Sequence, residues 1–157
     1  TFEFYVLRKM LIHNMGHGAA AYLGYIKGYQ YIWEAIGDPS VFQTVKNAMM
    51  ESAEALCKVY QMDLVALQAY IDDLLERFAN RQLGDTIARV GRDQCRKLGE
   101  NERFFRAARL CEEQGVDNAS ILKSIQAALL FQENGRHLTL PQLRQMADIV
   151  VMCEAMC

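Results

Sequence analysis

Residues 37–60 read GDPSVFQTVKNAMMESAEALCKVY, and this stretch decides the fold class. Gly37, Asp38 and Pro39 stop one helix and start another. Glycine suits a helix C-terminus, aspartate accepts backbone N–H groups as an N-cap, and proline fits the first turn, where its missing N–H costs nothing. Beyond them Phe42, Val45, Met49, Ala53, Leu56 and Tyr60 recur at spacings of three and four, which draws one apolar stripe along a helix. The same pattern extends outward. Asp63 caps a segment with Leu64, Leu67, Ile71, Leu74 and Phe78 inward. Glu102 to Gln114 reads as a helix stopped by Gly115. Asn118 caps a helix carrying Ile121, Ile125 and Leu129 that halts at Asn134-Gly135, and Thr139 with Pro141 opens a last one. Upstream, a helix runs from about Val6 to Tyr29, and Asn80 to Gly99 is richer in breakers. Strand-like alternation is confined to Thr1–Val6, and two prolines in the whole chain leave helices few interruptions. The expected fold is all-α, a single multi-helix domain over residues 1–157.

The composition agrees with one soluble-sized core. The chain has 157 residues, 52% of them apolar, and a net charge of −2. A chain of this length buries roughly 68–70% of its unfolded surface and needs no metal or disulfide staple. Its pI of about 5.9 argues against nucleic acid as a partner, since domain-wide basicity is the usual footprint. The apolar run GAAAYLGYI at 18–26 is far short of the ~20 residues that span a bilayer, so no membrane partner is expected. No signal-peptide pattern opens the chain. Cys57, Cys95, Cys111, Cys153 and Cys157 are odd in number and form no C-x-x-C pair, which reads as reduced thiols in a cytoplasmic protein. Thr1 opens the chain and the apolar run DIVVMCEAMC at 148–157 closes it. Both ends read as cut from a longer polypeptide.

The chemistry concentrates in KMLIHNMGH, residues 9–17. On an α-helix at about 100° per residue, Lys9, Asn14 and His17 fall within an arc of about 140°. An amine, an amide and an imidazole on one face hold one oxygen atom between them. That is what a hydride-transfer enzyme needs to remove an alcohol proton without a metal. A lysine used as a base has to titrate at roughly 7–8, so its site must disfavour the charged form; burial and neighbouring cations, here Arg8 and His13, push that way. His13 and His17 stand four apart, but Asn14 occupies the place of the H-E-x-x-H glutamate and is a poor zinc ligand. No metal is expected. Gly16, Ala20, Gly24 and Gly28 recur every four residues along the same helix. Such a stripe admits either a tightly packed helix or a flat ligand.

A second segment carries charge. Between Arg77 and Arg109 lie nine of the 17 basic residues and only four acids, Asp85, Asp93, Glu100 and Glu102. Guanidinium forks suit phosphate oxygens. On charge alone, a solvated face paired with acids elsewhere is the better explanation of the excess.

These residues resemble the C-terminal domain of the polyol-specific long-chain dehydrogenases, the mannitol dehydrogenase family. The Lys9, Asn14, His17 spacing is similar to that family's catalytic signature. So are GHGAAAYLGYIKGY at 16–29, AMMESAEAL at 48–56, ERFAN at 76–80 and RVGRDQCRKL at 89–98. The resemblance runs from Lys9 to Arg103, and RVGRD-x-x-RKL is most similar to the mannitol-1-phosphate 5-dehydrogenase branch. It implies a helical domain like those of 6-phosphogluconate-dehydrogenase-like enzymes, closing over the substrate. NAD would be bound mainly by an N-terminal Rossmann domain that this chain lacks. It implies that Lys9 is the acid/base, that Asn14 holds the reacting oxygen and that His17 positions the substrate. Arg89 and Lys97 would bind the polyol. Arg92 is added here as a candidate contact for a substrate phosphate.

The implied reaction is the interconversion of mannitol 1-phosphate and fructose 6-phosphate, with a polyol or its phosphate as the partner. Alone, the 157 residues are expected to be inactive. Two alternatives stay open: the helical domain of a sugar-acid or hydroxyacid dehydrogenase, which also pairs a lysine and an asparagine near one helix start, and a non-catalytic helical interaction module.

Overall fold

The computed structural model describes residues 1–146, and the apolar run at 148–157, with Cys153 and Cys157, lies outside the described residues. The described residues form α1 (Phe2–Arg8), a π-helical turn (Lys9–Asn14), α2 (Met15–Ile26), α3 (Ile32–Gly37), α4 (Pro39–Tyr60) and α5 (Leu64–Phe78). A 3-10 turn (Arg81–Leu83) precedes α6 (Ile87–Gly91) and α7 (Gln94–Lys97), and α8 (Arg103–Gln114), α9 (Ala119–Leu130) and α10 (Leu140–Gln145) complete the order. Two isolated antiparallel bridges, Tyr31 with Thr86 and Glu133 with Arg136, are the only β-type pairings among the described residues. The domain is all-α.

Local signals act largely as their chemistry requires. Asp38 accepts the backbone N–H groups of Ser40 and Val41 at 2.9 and 3.2 Å, and Pro39 opens α4. Asp63 takes Val65 N–H at 2.9 Å. Thr139 and Gln142 form a reciprocal capping box on α10, and Gly115 ends α8 in a left-handed conformation, φ 68°.

Four expectations fail, each for a tertiary or capping reason. Thr1–Val6 is no strand: Thr1 caps α1 by accepting Phe4 N–H at 3.3 Å. The first helix therefore starts before Val6, and it ends at Ile26, with Gly28 beyond it at φ 83°. Asn118 does not cap α9 with its side chain. Its buried amide donates to Ala108 O at 3.0 Å, while Glu51 of α4 accepts Ser120 and Ile121 N–H at 3.2 and 3.0 Å. α9 stops at Leu130 rather than at Asn134-Gly135, because Phe131 turns out to pack edge-on against Tyr22 and Tyr25.

The small-residue stripe is a packing device. A Cβ on Gly16 would meet Met49 Sδ of α4 at 2.6 Å, and one on Gly24 would meet Ala35 Cβ at 2.6 Å and Ile87 Cδ1 at 2.8 Å. Ala20 is fully buried. α2 thus lies against α3, α4, α6 and α9 at the centre of the domain. Tyr22 anchors this arrangement through its hydroxyl, which donates to Gly91 O at 2.9 Å. No described helix is long and apolar enough to cross a membrane, and Cys57, Cys95 and Cys111 are free thiols.

Gly24→Ala tests the stripe. Alanine gains about 1 kcal/mol in helix propensity, yet overpacking against Ala35 costs about 1–3 kcal/mol. We expect a net loss of stability in urea unfolding, whereas Gly37→Ala, with nothing within 4 Å of its Cβ, shows no loss.

Candidate functional site

The first helix widens where its polar residues stand. Residues Lys9 to Asn14 form one π-helical turn, and Met15 N–H reaches back five residues to Met10 O. An α-helix would separate Lys9 from Asn14 by about 140° around the axis. In a π-turn the hydrogen bond spans five residues, which makes the turn wider and reduces that angular separation. Lys9 and Asn14 are five apart. The uniform α-helical geometry expected over this stretch is replaced by this wider turn. Leu11, Ile12 and Met15 bury the opposite face of the same segment, which fixes its rotation.

Five of the six residues singled out from the sequence line one cavity of about 310 Å³: Asn14, His17, Arg89, Arg92 and Lys97, joined by Asp93, Arg96 and Arg103. Lys9 does not line it. Lys9 is exposed and borders an adjoining hollow with Tyr5, Val6, Met10 and Asn14. Asn14 belongs to both and is the joint between them. Besides this adjoining hollow of about 380 Å³, two larger ones lie among the described residues. One, lined by Gln94, His137 and Gln142 among others, adjoins the end of the described residues. The other, lined by Tyr25, Tyr29 and Phe131, shares Arg89, Arg92 and Asp93 with the cation-lined cavity. The smaller cavity gathers the convergent polar groups that mark a site.

His17 is held on two sides. Its ring stacks on Phe78 with centroids 4.8 Å apart and planes 15° apart, and its Nε2 lies 3.6 Å from Asp85 Oδ2. Burial dominates its titration, and His13, Arg89 and Lys97 add to the effect against the opposing pull of Asp85. The imidazole pKa falls to about 4, so His17 is neutral at pH 7. Asp85 also pairs with Arg89, one turn later in the chain. Asp85 is a site residue that the sequence reading passed over. The available signal was its place four residues before Arg89, the spacing of a helical ion pair.

Lys97 is buried at the end of α7, and its Nζ donates to Val90 O at 2.6 Å. Burial, together with Arg103, Arg96 and Arg92, pushes its pKa down to about 8. Arg96 pairs with Asp93 and Glu102. Arg103 lies 3.7 Å from Glu102, and its buried Nε has no hydrogen-bond acceptor among the described residues. Arg92 makes no ion pair among the described residues. Five cations around so small a space, with part of their charge uncompensated, suit an anionic or hydroxyl-rich ligand. No group of three His, Cys, Asp or Glu side chains among the described residues is placed to hold a metal ion.

Comparison with known proteins extends the likeness beyond Arg103. The family model described as mannitol dehydrogenase C-terminal domain matches residues 2–155. The mannitol-1-phosphate 5-dehydrogenase of Caldanaerobacter subterraneus subsp. tengcongensis is 41% identical over 127 residues, which cover 81% of this chain and 33% of that protein. The corresponding enzyme of Clostridium acetobutylicum is 39% identical over 127 residues, with the same coverage of 81% and 33%. The chain thus spans about a third of the length of these curated relatives. Among solved structures, Pseudomonas fluorescens mannitol 2-dehydrogenase in ternary complex with NAD and D-mannitol superposes with a TM-score of 0.69 at 25% identity, covering 97% of this chain and 30% of that one. A substrate-free D-sorbitol dehydrogenase shares the fold, with a TM-score of 0.65 at 20% identity over 88% of this chain and 28% of that one.

The neutral His17 gives a pH signature. Its native pKa, about 4, lies below the ordinary value of 6.5. Between these values the unfolded chain binds a proton that the native chain refuses, so stability falls as pH drops from 6.5 towards 4. His17 contributes at most about 3 kcal/mol to this loss. Urea unfolding at pH 7 and pH 4.5 should show a smaller difference in His17→Gln than in wild type. Equal differences would mean that His17 is not held neutral by burial.

Proposed function

The chain belongs to the mannitol dehydrogenase C-terminal domain family, and on that premise we propose that it is the helical substrate domain of an NAD-dependent polyol dehydrogenase in the cytoplasm. Its substrate is mannitol 1-phosphate and its product fructose 6-phosphate. The observation that carries this reading is the meeting of Asn14, His17, Arg89, Arg92 and Lys97 around one cation-rich cavity, with Lys9 one π-turn from Asn14.

The substrate lies with its reacting hydroxyl at Asn14, between the two hollows. Lys9, as the free amine, takes the hydroxyl proton while the carbon–hydrogen bond gives up its electron pair as hydride, so the alcohol becomes a ketone. NAD, when bound, accepts that hydride. The chain spans about a third of the length of its curated relatives, and in this reading a separate N-terminal dinucleotide domain would hold the cofactor. Closure of that domain over the exposed Lys9 removes water from the amine. Asn14 donates to the oxygen as negative charge develops on it, the role of an oxyanion-site amide. His17 is uncharged and exchanges hydrogen bonds with a neighbouring hydroxyl. Arg89 and Lys97 bind the remaining hydroxyls, and Arg92, which has no carboxylate partner among the described residues, takes the phosphate. In the reverse direction Lys9 returns the proton as an ammonium.

Two substitutions test the assignment in the full-length enzyme. Lys9→Ala should lower turnover by roughly 10²–10⁴-fold while NAD affinity, read by fluorescence titration, stays near wild type. Unchanged turnover would make Lys9 an ordinary surface residue. Arg92→Ala should raise the KM for mannitol 1-phosphate far more than that for mannitol; equal effects would remove Arg92 from phosphate recognition. The 157 residues alone should show no NAD-dependent polyol oxidation, and robust oxidation would contradict the division of labour between domains.

A further inference from the structure

Asp85 sits where two distant parts of the site meet. Its backbone is clamped on the segment before α3: Asp85 O accepts Ile32 N–H at 3.0 Å, and Ile87 N–H donates to Gln30 O at 2.9 Å. Tyr31 and Thr86 form the bridge between these two bonds, and Thr86 caps α6 by accepting Arg89 N–H at 3.1 Å. The carboxylate therefore has a fixed base. Only a quarter of its surface is exposed, and its two oxygens are divided between partners: Oδ1 takes the Arg89 guanidinium, and Oδ2 faces His17 Nε2 at 3.6 Å. Phe78 covers one face of the imidazole.

Resting on the polyol-dehydrogenase reading above, we propose that Asp85 is a positioning residue: its carboxylate selects the Nε2–H tautomer of His17, leaves Nδ1 as a hydrogen-bond acceptor, and holds the Arg89 guanidinium in register with that imidazole. A carboxylate beside one ring nitrogen stabilises the proton on that nitrogen, and the opposite nitrogen is then bare. The gap of 3.6 Å is longer than a hydrogen bond; such contacts are often loose without substrate and tighten when it binds. The charged and titratable groups facing His17 are Asp85, His13, Arg89 and Lys97. Of these only Asp85 can accept a proton-bearing nitrogen at neutral pH and also attract it by charge. The consequence is a division of roles around the substrate. Asn14, Arg89 and Lys97 can donate to polyol oxygens, whereas His17 Nδ1 accepts from a hydroxyl hydrogen. A polyol hydroxyl donates and accepts at once, so one acceptor among donors fixes the direction of its O–H bond. A ligand offering only acceptor oxygens at that position would leave Nδ1 unpaired.

The test is nitrogen-15 NMR of the imidazoles in the 157-residue chain at pH 7, with His17 assigned by the loss of its signals in His17→Gln. Wild type should show a protonated Nε2 and a bare Nδ1. In Asp85→Asn the amide can donate to Nε2, so the pattern should move towards Nδ1–H. A wild-type spectrum already showing Nδ1–H overturns the proposal without any variant, as does an unchanged pattern in a folded Asp85→Asn. In the full-length enzyme the same variant should lower kcat/KM for the polyol roughly 10–100-fold, the size of a lost charge-assisted contact, with most of the loss in KM. An unchanged kcat/KM overturns the positioning role. If the wild-type enzyme oxidises no polyol at all while the tautomer behaves as stated, the functional reading falls and the Asp85–His17 assignment stands.

Discussion

The spacing of five residues between Lys9 and Asn14, met by a single π-turn, is the constraint on which the site depends. One face of that turn is sealed into the core by Leu11, Ile12 and Met15, so the helix cannot rotate to present its polar residues elsewhere. The backbone bond from Met15 N–H to Met10 O widens the helix between Lys9 and Asn14. An irregular turn of this kind is tolerated only where surrounding packing over-determines it. Here α4 and α8 press on it from the core side, with Met49 seated over Gly16 just beyond the turn. Packing and chemistry are two faces of one segment.

Charge supplies the second half of the design. Arg89, Arg92, Arg96 and Lys97 come from α6, α7 and their connection, short elements that cannot be rigid alone, and Arg103 from the start of the longer α8. The short elements are tied down by Tyr22 of α2 to Gly91 and by Gln94 to Ala128 of α9 and Phe131 just beyond it, and to each other by Lys97 to Val90. Burial first, and then the neighbouring Arg103, Arg96 and Arg92, push the Lys97 pKa down. Cations gathered this closely suit an anionic ligand.

The sequence made the helices and most of their boundaries legible, because caps and apolar stripes are local. Asp38, Asp63, Gly115 and Thr139 act where they stand whatever lies around them. The grouping of Asn14 and His17 with Arg89 and Lys97 was legible only through family resemblance, to which Arg92 was an addition, since nothing in the spacing tells α6 and α7 to face the first helix. What stayed hidden depends on contacts distant in sequence. The π-turn looks like any α-helical stretch in a pattern of residues. Asn118 has the chemistry of a cap but was diverted to Ala108 O because it is buried between helices. Gly16 and Gly24 read more readily as a packing face than as a ligand face, and Met49, Ala35 and Ile87 stand opposite them. Asp85 read as one acid in a basic stretch, and only the fold brings it to His17.

In the proposed enzyme the hollow beside Lys9 and the cation-lined cavity beyond Asn14 together hold one substrate. A crystal structure of the full-length enzyme with mannitol 1-phosphate and an inert cofactor analogue tests it most directly. The account requires the reacting oxygen within hydrogen-bond distance of both Lys9 Nζ and Asn14 Nδ2, with the phosphate against Arg92. A substrate lodged instead among Tyr25, Tyr29 and Phe131, with Lys9 facing solvent, would contradict it.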